Sequence, residues 1–378
     1  MNFKEIIQDK IKILLLKHTD FKISTTEIFA NTVIGIIKSG SIKITRLAES
    51  LSLNELTTSC VRALERFYTT QNISTEELSF IVYDLLSLKG RGPFTIIIDR
   101  TNWKYGKKHI NIFVVSILFG DTVIPILIDV SDKAGISNFK ERKVLIDKLV
   151  ALVGKNNIKA ILGDREFVGT EWFKYLHDLA LPFVFRIKNN SYIKTAYDGR
   201  ISVGILFTDL QIQETKQVKA VINGIPLIIA ATRSKEGELV ILAASRIKGN
   251  ILKMYKLRWF IELFFKSIKS KGFNLEETHI TDPNRIQIFI AMITIATCLT
   301  VQTGLFKHKA KPISIKKHGN KAFSIFMYGL HFIRSVFQKG TRVFSQELRY
   351  FVLSKNISPG LMANFYLSFV LGDNFVGY

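Results

Sequence analysis

Phe94-Thr95-Ile96-Ile97-Ile98-Asp99 is the stretch on which the reading of this chain turns. Its apolar and β-branched residues suit a short strand buried on both faces, and the run stops abruptly at an acid. Two longer strand-like runs follow at 109–119 and 122–130, joined by Gly120-Asp121, a hairpin signal. The spacing then predicts a helix over 139–153, with Leu145, Leu149 and Leu152 on one face. A short strand at 158–162 ends in Gly163-Asp164, and a helix near 170–179 leads to a strand at 183–187. The expected order is β-β-β-α-β-α-β, with acids at the ends of the first and fourth strands.

Outward from this unit, 1–90 read as helical. Ser24…Glu27 and Ser74…Glu77 have capping-box spacing, the first before a helix ending at Ser39-Gly40 and the second before one ending at Gly90. A short amphipathic helix at 44–51, a turn at 52–54 and a helix carrying Arg62 and Arg66 outline a helix-turn-helix. A plain helical bundle accounts for that pattern equally well. Residues 193–249 read as a small β insertion, with strands at 203–206, 216–222, 225–231 and 239–244. A core helix is expected at 283–300, then a basic loop at 305–321. A tail of two or three helices carries Arg334, Lys339, Arg342 and Arg349. The expected division is 1–90, a helical DNA-binding region; 91–192 and 250–300, two parts of one core; 193–249, the insertion; and 301–378, a basic helical end.

The chain has 378 residues, 53 basic and 31 acidic, for a formal net charge of +22. Residues 1–90 carry 11 Lys and Arg against 10 Asp and Glu, whereas 283–378 carry 12 against 2. An excess that grows toward the carboxyl half suits a long polyanion, because each phosphate contact releases counterions. Cys60 and Cys298 are far apart in apolar helical patterns, which excludes a disulfide framework and a zinc site. No secretory signal is expected where Lys4, Glu5, Asp9, Lys10 and Lys12 interrupt the apolar residues, and no membrane partner is expected.

One further run stands out: Tyr255-Lys-Leu-Arg258-Trp-Phe-Ile-Glu262-Leu-Phe-Phe-Lys266-Ser-Ile-Lys269. It reads as one long helix stopping at Lys271-Gly272. At ~100° per residue, Arg258, Glu262 and Lys269 fall within roughly 60° of Tyr255, on a narrow polar stripe of an otherwise apolar helix. Three antiparallel strands followed by α-β-α-β match a ribonuclease H-like α/β (α+β) fold, in which the first and fourth strands are neighbours. Asp99 and Asp164 then leave adjacent strands at one sheet edge. Singly, each Asp is as well explained as a turn former. As a pair they repel unless a divalent cation lies between them, and hard Mg²⁺ or Mn²⁺ favours carboxylate oxygens, with Glu262 as the third.

On these blocks the chain resembles the DDE transposases of bacterial insertion sequences, in the branch marked by Tyr-x2-Arg-x3-Glu-x6-Lys. Tyr255, Arg258, Glu262 and Lys269 match that spacing without a gap. The segments Ile98-Asp99-Arg-Thr101, Gly163-Asp164-Arg-Glu-Phe167 and Ser324-Ile-Phe-Met-Tyr328-Gly-Leu330 resemble further family blocks. The resemblance implies that Asp99, Asp164 and Glu262 are catalytic and bind two Mg²⁺ ions, with Mn²⁺ able to substitute. It implies that Tyr255, Arg258 and Lys269 contact DNA phosphates. Arg165, Arg186 and Lys188 are further candidate DNA contacts, a solvated loop explaining the last two equally well. The implied partners are terminal inverted repeats and target DNA, held by a homodimer in a synaptic complex in the bacterial cytoplasm, associated with the nucleoid. Many relatives have Gly where Glu166 stands. The insertion lacks the Trp that some relatives stack on a flipped base, and offers Tyr197 and Phe207 instead. A non-catalytic helix-turn-helix DNA-binding protein and a ribonuclease H-like nuclease are the alternatives. Intact acids count against the first, and the stripe spacing and the insertion against the second.

Overall fold

The computed structural model describes residues 3–339 apart from 52–56, 134, 195–198, 272, 274, 276–279, 318 and 320. Helices α1 (Phe3–His18), α2 (Ile23–Ser39), α3 (Ile44–Leu51), α4 (Thr57–Thr70) and α5 (Thr75–Leu85) come first. They lead into β1 (Phe94–Tyr105), β2 (Lys108–Phe119), β3 (Thr122–Ser131), α6 (Phe139–Val153), β4 (Ile158–Gly163), α7 (Thr170–Asp178) and β5 (Phe183–Ile187). Beyond these lie β6 (Tyr192–Lys194), β7 (Arg200–Ser202), β8 (Thr215–Ile222), β9 (Ile225–Arg233) and β10 (Leu239–Ser245). Helices α8 (Ile251–Lys256), α9 (Trp259–Lys266), α10 (Pro283–Ala310) and α11 (Ile325–Lys339) complete the described chain.

Among the described residues the strands form one ten-stranded sheet in the order β3-β2-β1-β4-β5-β10-β9-β8-β6-β7. The hairpins β1–β2 and β2–β3 are antiparallel, while β1–β4 and β4–β5 are parallel and need the crossovers through α6 and α7. The first and fourth strands are therefore neighbours, as the ribonuclease H-like reading requires. The insertion does not form a sheet of its own: β10 pairs antiparallel with β5, and β9 and β8 continue outward. Its hydrogen bonds cover what would otherwise be the exposed edge of β5.

The helical amino-terminal part shares the core of the rest. Tyr68 of α4 packs its ring 4.3 Å from that of Phe289 in α10, Gln302 Nε2 donates to Leu85 O (2.8 Å), and Arg334 Nε donates to Ile37 O (2.7 Å). Helix α10 is long and apolar enough to cross a membrane by length and composition, but 89% of its apolar window is buried within the protein. Of its four buried threonines, Thr297, Thr300 and Thr303 return their hydroxyls to the carbonyls four residues back, while the Thr294 hydroxyl has no partner among the described residues.

Several expectations need correction. The box at Ser24 does not form: α2 begins at Ile23 with Lys22 as an uncapped N-cap, and Thr26 gives its hydroxyl to Ile23 O. The box at Ser74 forms in full, with Glu77 returning the bond. Its helix ends at Leu85 rather than Gly90, because Ser87 adopts φ 50° and Leu88 N–H reaches back to Tyr83 O, which buries Leu88 completely. Residues 203–207 are a 3₁₀ turn burying Val203 and Phe207, a short apolar run of a kind that strand and helix share. Helix α10 runs on to Ala310 and stops before Pro312, so Lys307, His308 and Lys309 stand on its last turn rather than in a loop. The turn at 52–54, Tyr197, Gly272, Arg342 and Arg349 lie outside the described residues.

Helices α10 and α11 cross where Gly304 meets Gly329. A Cβ at Gly329 would lie 1.9 Å from Thr300 O, and one at Gly304 would lie 2.1 Å from Ile325 O. Gly329→Ala is accordingly expected to destabilise the protein by about 1–3 kcal/mol, read as a lower midpoint in urea. An unchanged midpoint would mean that the two helices do not approach this closely.

Candidate active site

Register places the two aspartates. The last parallel pair between β1 and β4 is Ile97 with Leu162, so Asp99 and Asp164 each stand two residues beyond it. Adjacent strands are ~4.8 Å apart, which puts the two backbones side by side at one sheet edge. Gly163 is fixed by its surroundings: a Cβ there would come within 2.9 Å of the Phe185 ring. Aromatic packing of Phe185 against Phe173 and Trp172 of α7 thus sets the backbone that delivers Asp164.

The third acid arrives from a helix that is broken rather than continuous. Helix α8 ends at Lys256, Leu257 and Arg258 close i→i+3 bonds onto Met254 and Tyr255, and α9 begins at Trp259. After Lys266 the chain widens into a π-helical turn, Ser267–Lys271. The expected burial also fails on one side, since Trp259 is 57% and Leu263 42% exposed. Beyond the 3₁₀ turn Arg258 and Lys269 meet β1, and Glu262 is joined to it through Arg258, while this flank faces solvent.

Arg258 is the hub. Its Nη1 donates to Asp99 Oδ2 at 3.0 Å, its Nη2 pairs with Glu262 Oε1, and its guanidinium carbon lies 5.9 Å from the centre of the Tyr255 ring. Burial works against its charge, yet Tyr255, Asp99 and Glu262 together raise its pKa above the ordinary guanidinium value. Asp99 also accepts the N–H of Arg100 at 2.8 Å. Its carboxyl is pushed up from 3.8 to about 7, first by burial, with the negative charges of Asp164 and Glu262 adding to this against the pull of Arg258. Burial raises the Tyr255 hydroxyl in the same way, with Arg258 and Arg186 opposing. Lys269 reaches the other flank, donating to Asn102 O at 3.0 Å and lying 5.3 Å from the Trp103 ring centre.

Of the remaining candidates, Arg186 follows Phe185, the β5 partner of Gly163, and pairs with Glu238. Arg165 and Lys188 are exposed. Glu166 points elsewhere: its Oε1 accepts from Ser137 N and Oγ (3.1 and 3.0 Å) and sits 2.5 Å from Arg100 Nε as an ion pair. The buried Arg142 closes this cluster, donating to Ser137 Oγ, Ser137 O and Glu166 O. Glu166 N–H in turn holds Asp164 Oδ1 at 2.8 Å. Sequence reasoning missed Arg100 and the β1 residues beyond Asp99. Alternation of Thr101, Trp103 and Tyr105 before the turn at Gly106-Lys107 is the signal that marks them.

Among the described residues no three acidic, histidine or cysteine side chains are grouped closely enough to hold a metal as they stand. A guanidinium spans two of the three acids instead. The donor set nevertheless suits a hard divalent cation: only carboxylate oxygens are offered, and burial first, with the charges of Asp164 and Glu262 adding to it, disfavours the ionised form of Asp99.

Residues 90–299 match the transposase DDE domain family. The chain belongs to that family. The match runs from just before β1 into α10, so it takes in Asp99, Asp164, Glu262 and the insertion strands, and family membership makes this a transposase- or nuclease-type protein that acts on DNA. No curated protein matches the chain. Among solved structures it is similar to the endonuclease V of Bacillus subtilis, at 12% identity over 58% of this chain and 90% of that one, with a TM-score of 0.24.

Between its ordinary 3.8 and about 7, Asp99 keeps a proton in the folded protein that the unfolded chain has released. Stability in chelator-treated buffer should therefore fall as pH rises through that window. Asp99→Asn should flatten the decline in melting temperature across it, and equal slopes in parent and variant would show that Asp99 titrates normally.

Proposed function

We propose that this protein is the transposase of an insertion sequence of the Tyr-Arg-Glu-Lys branch, cutting and joining DNA strands at the element's inverted repeats in a cut-and-paste reaction. The observation that carries the reading is the matched offset of Asp99 and Asp164 on parallel neighbours, with Glu262 brought to Asp99 through Arg258. Asp99, Asp164 and Glu262 are the residues that would hold two Mg²⁺ ions, or Mn²⁺ in their place, which supply Lewis acidity to the attacking and leaving oxygens of an in-line displacement.

The chain's own groups prepare that chemistry. Arg258 holds Asp99 and Glu262 against each other's repulsion and presents positive charge where a phosphate must lie. Tyr255 borders the same space with a hydroxyl that can donate to a phosphate oxygen, burial raising its pKa further above the neutral range. Lys269 brings a second cation to the β1 side, and Arg186, Arg165 and Lys188 extend the basic border past Asp164. The Glu166–Arg100–Ser137 cluster fixes the loop after β4, so that Asp164 is presented without rearrangement. The amino-terminal helices, with Arg62 and Arg66 exposed on α4, are the proposed reader of the repeat, and a homodimer pairing two ends is the proposed assembly.

Asp99→Asn, Asp164→Asn and Glu262→Gln are each expected to lower Mg²⁺-dependent cleavage of an inverted-repeat duplex by about 10³-fold or more, with duplex binding largely intact. Retained cleavage by Glu262→Gln would remove Glu262 from the assignment. A footprint on the repeats that needs no metal, with no cleavage by the parent protein, would make the chain a non-catalytic DNA-binding relative.

A further inference from the structure

Strand β1 does not end at the acid it carries. Its pairing with β4 stops at Ile97–Leu162, but its pairing with β2 continues through Trp103–Ile110, Lys104–His109 and Tyr105–Lys108. On the other side, β2 joins β3 only from Asn111–Ser131 onward. Residues 103–110 are therefore a two-stranded ribbon that runs past the sheet, closed by the turn Gly106-Lys107. An isolated ribbon of this kind gains little from packing. Its composition is one-sided: from Arg100 to Ile110 there is no Asp or Glu, and Arg100, Lys104, Lys107, Lys108 and His109 are its basic residues. Lys104, Lys107 and Lys108 are exposed, and no acidic side chain among the described residues pairs with them. Tyr105 at the tip is 45% exposed.

The alternation of a strand puts Asp99, Thr101, Trp103 and Tyr105 on one face, and the register adds Lys108 opposite Tyr105. The face that bears the aspartate is thus extended first by Lys269 over the Trp103 ring and then by Tyr105 with Lys108. Six residues at ~3.3 Å reach ~20 Å from Asp99, the length of about six base pairs. Cations interleaved with an aromatic on an exposed strand suit a nucleic-acid backbone, phosphates taking the lysines and a base or sugar packing on the ring.

We propose that the ribbon of residues 103–110 is a DNA-holding arm: Lys107 at the turn and Lys108 on the face of Asp99 take phosphates, and Tyr105 packs on the nucleotides, of the duplex within about six base pairs of the bond placed at Asp99. This deepens the transposase reading and rests on it for the identity of the DNA, but its first test requires no cleavage. Binding to a mixed-sequence duplex of about thirty base pairs is measured over a range of KCl concentrations. The combined variant Lys107→Ala, Lys108→Ala should reduce the steepness of log Kd against log salt by about 1–2. A control variant with the same charge change at the opposite sheet edge, Lys155→Ala, Lys159→Ala, should keep the parent's slope. Tyr105→Ala should weaken binding about tenfold and Tyr105→Phe should not, with melting temperatures unchanged throughout. An unaltered slope in the ribbon variant, or an equal loss in the control, overturns the arm. If the parent cuts no inverted-repeat duplex with any divalent metal, the transposase reading fails, and the salt slopes still decide the ribbon.

Discussion

Three carboxylates brought toward one sheet edge repel one another, and the rest of the site is arranged around that repulsion. Burial would by itself drive a proton onto Asp99, and its acidic neighbours add to the effect. The fold answers with Arg258, whose two terminal nitrogens meet Asp99 and Glu262 while its guanidinium carbon lies over the Tyr255 ring. A single planar cation thereby links the strand that carries the first acid to the helix that carries the third. A lysine could supply the charge but not the fork. A hard cation arriving at the same oxygens would compete with the guanidinium for them, and a guanidinium released there would stand beside any phosphate bound at the acids.

Much of this was legible in the chain. The strand order around Phe94 and Gly163 was readable because buried parallel strands are short apolar runs bounded by turn residues, and β1 and β4 are neighbours in the sheet. The stripe of Tyr255, Arg258, Glu262 and Lys269 was readable as spacing, because residues three, four and seven apart share a helix face. The break between α8 and α9 was not legible, since no Gly or Pro marks it. It falls where the chain passes from α8, packed on β5, β9 and β10, to α9, packed on β1 and β3, a tertiary arrangement that local spacing does not encode. Strand β1 was cut short at Asp99 for the opposite reason: an acid normally ends a buried strand, whereas here it sits where the strand leaves the sheet and becomes a ribbon. The partners of Glu166 were invisible because Arg100, Ser137 and Arg142 come from three separate elements.

Local signals were reliable where nothing competed with them and misleading where burial did. Ser74 caps α5 as written, while Ser24 is overridden by a helix that starts earlier and buries Thr26. Lys307 and its neighbours belong by composition to a loop, yet α10 carries them because nothing stops a helix before Pro312 and the apolar residues upstream have α2, α5 and α11 to pack against.

The continuity of the sheet constrains how the region between β5 and α8 can vary. Strands β8, β9 and β10 extend the sheet that carries Asp99 and Asp164, with β10 zipped along β5 from Phe183 to Ile187. Excising them would bare the five-residue edge of β5, apolar at all but Arg186, next to β4 and open to pairing with another chain. A change of length would be tolerated instead at the turns Asn223-Gly224 and Ser234–Glu238, which lie on the surface and carry no ladder bonds to β5. The sheet thereby directs such changes to the rim of this segment and away from the strands nearest the acids.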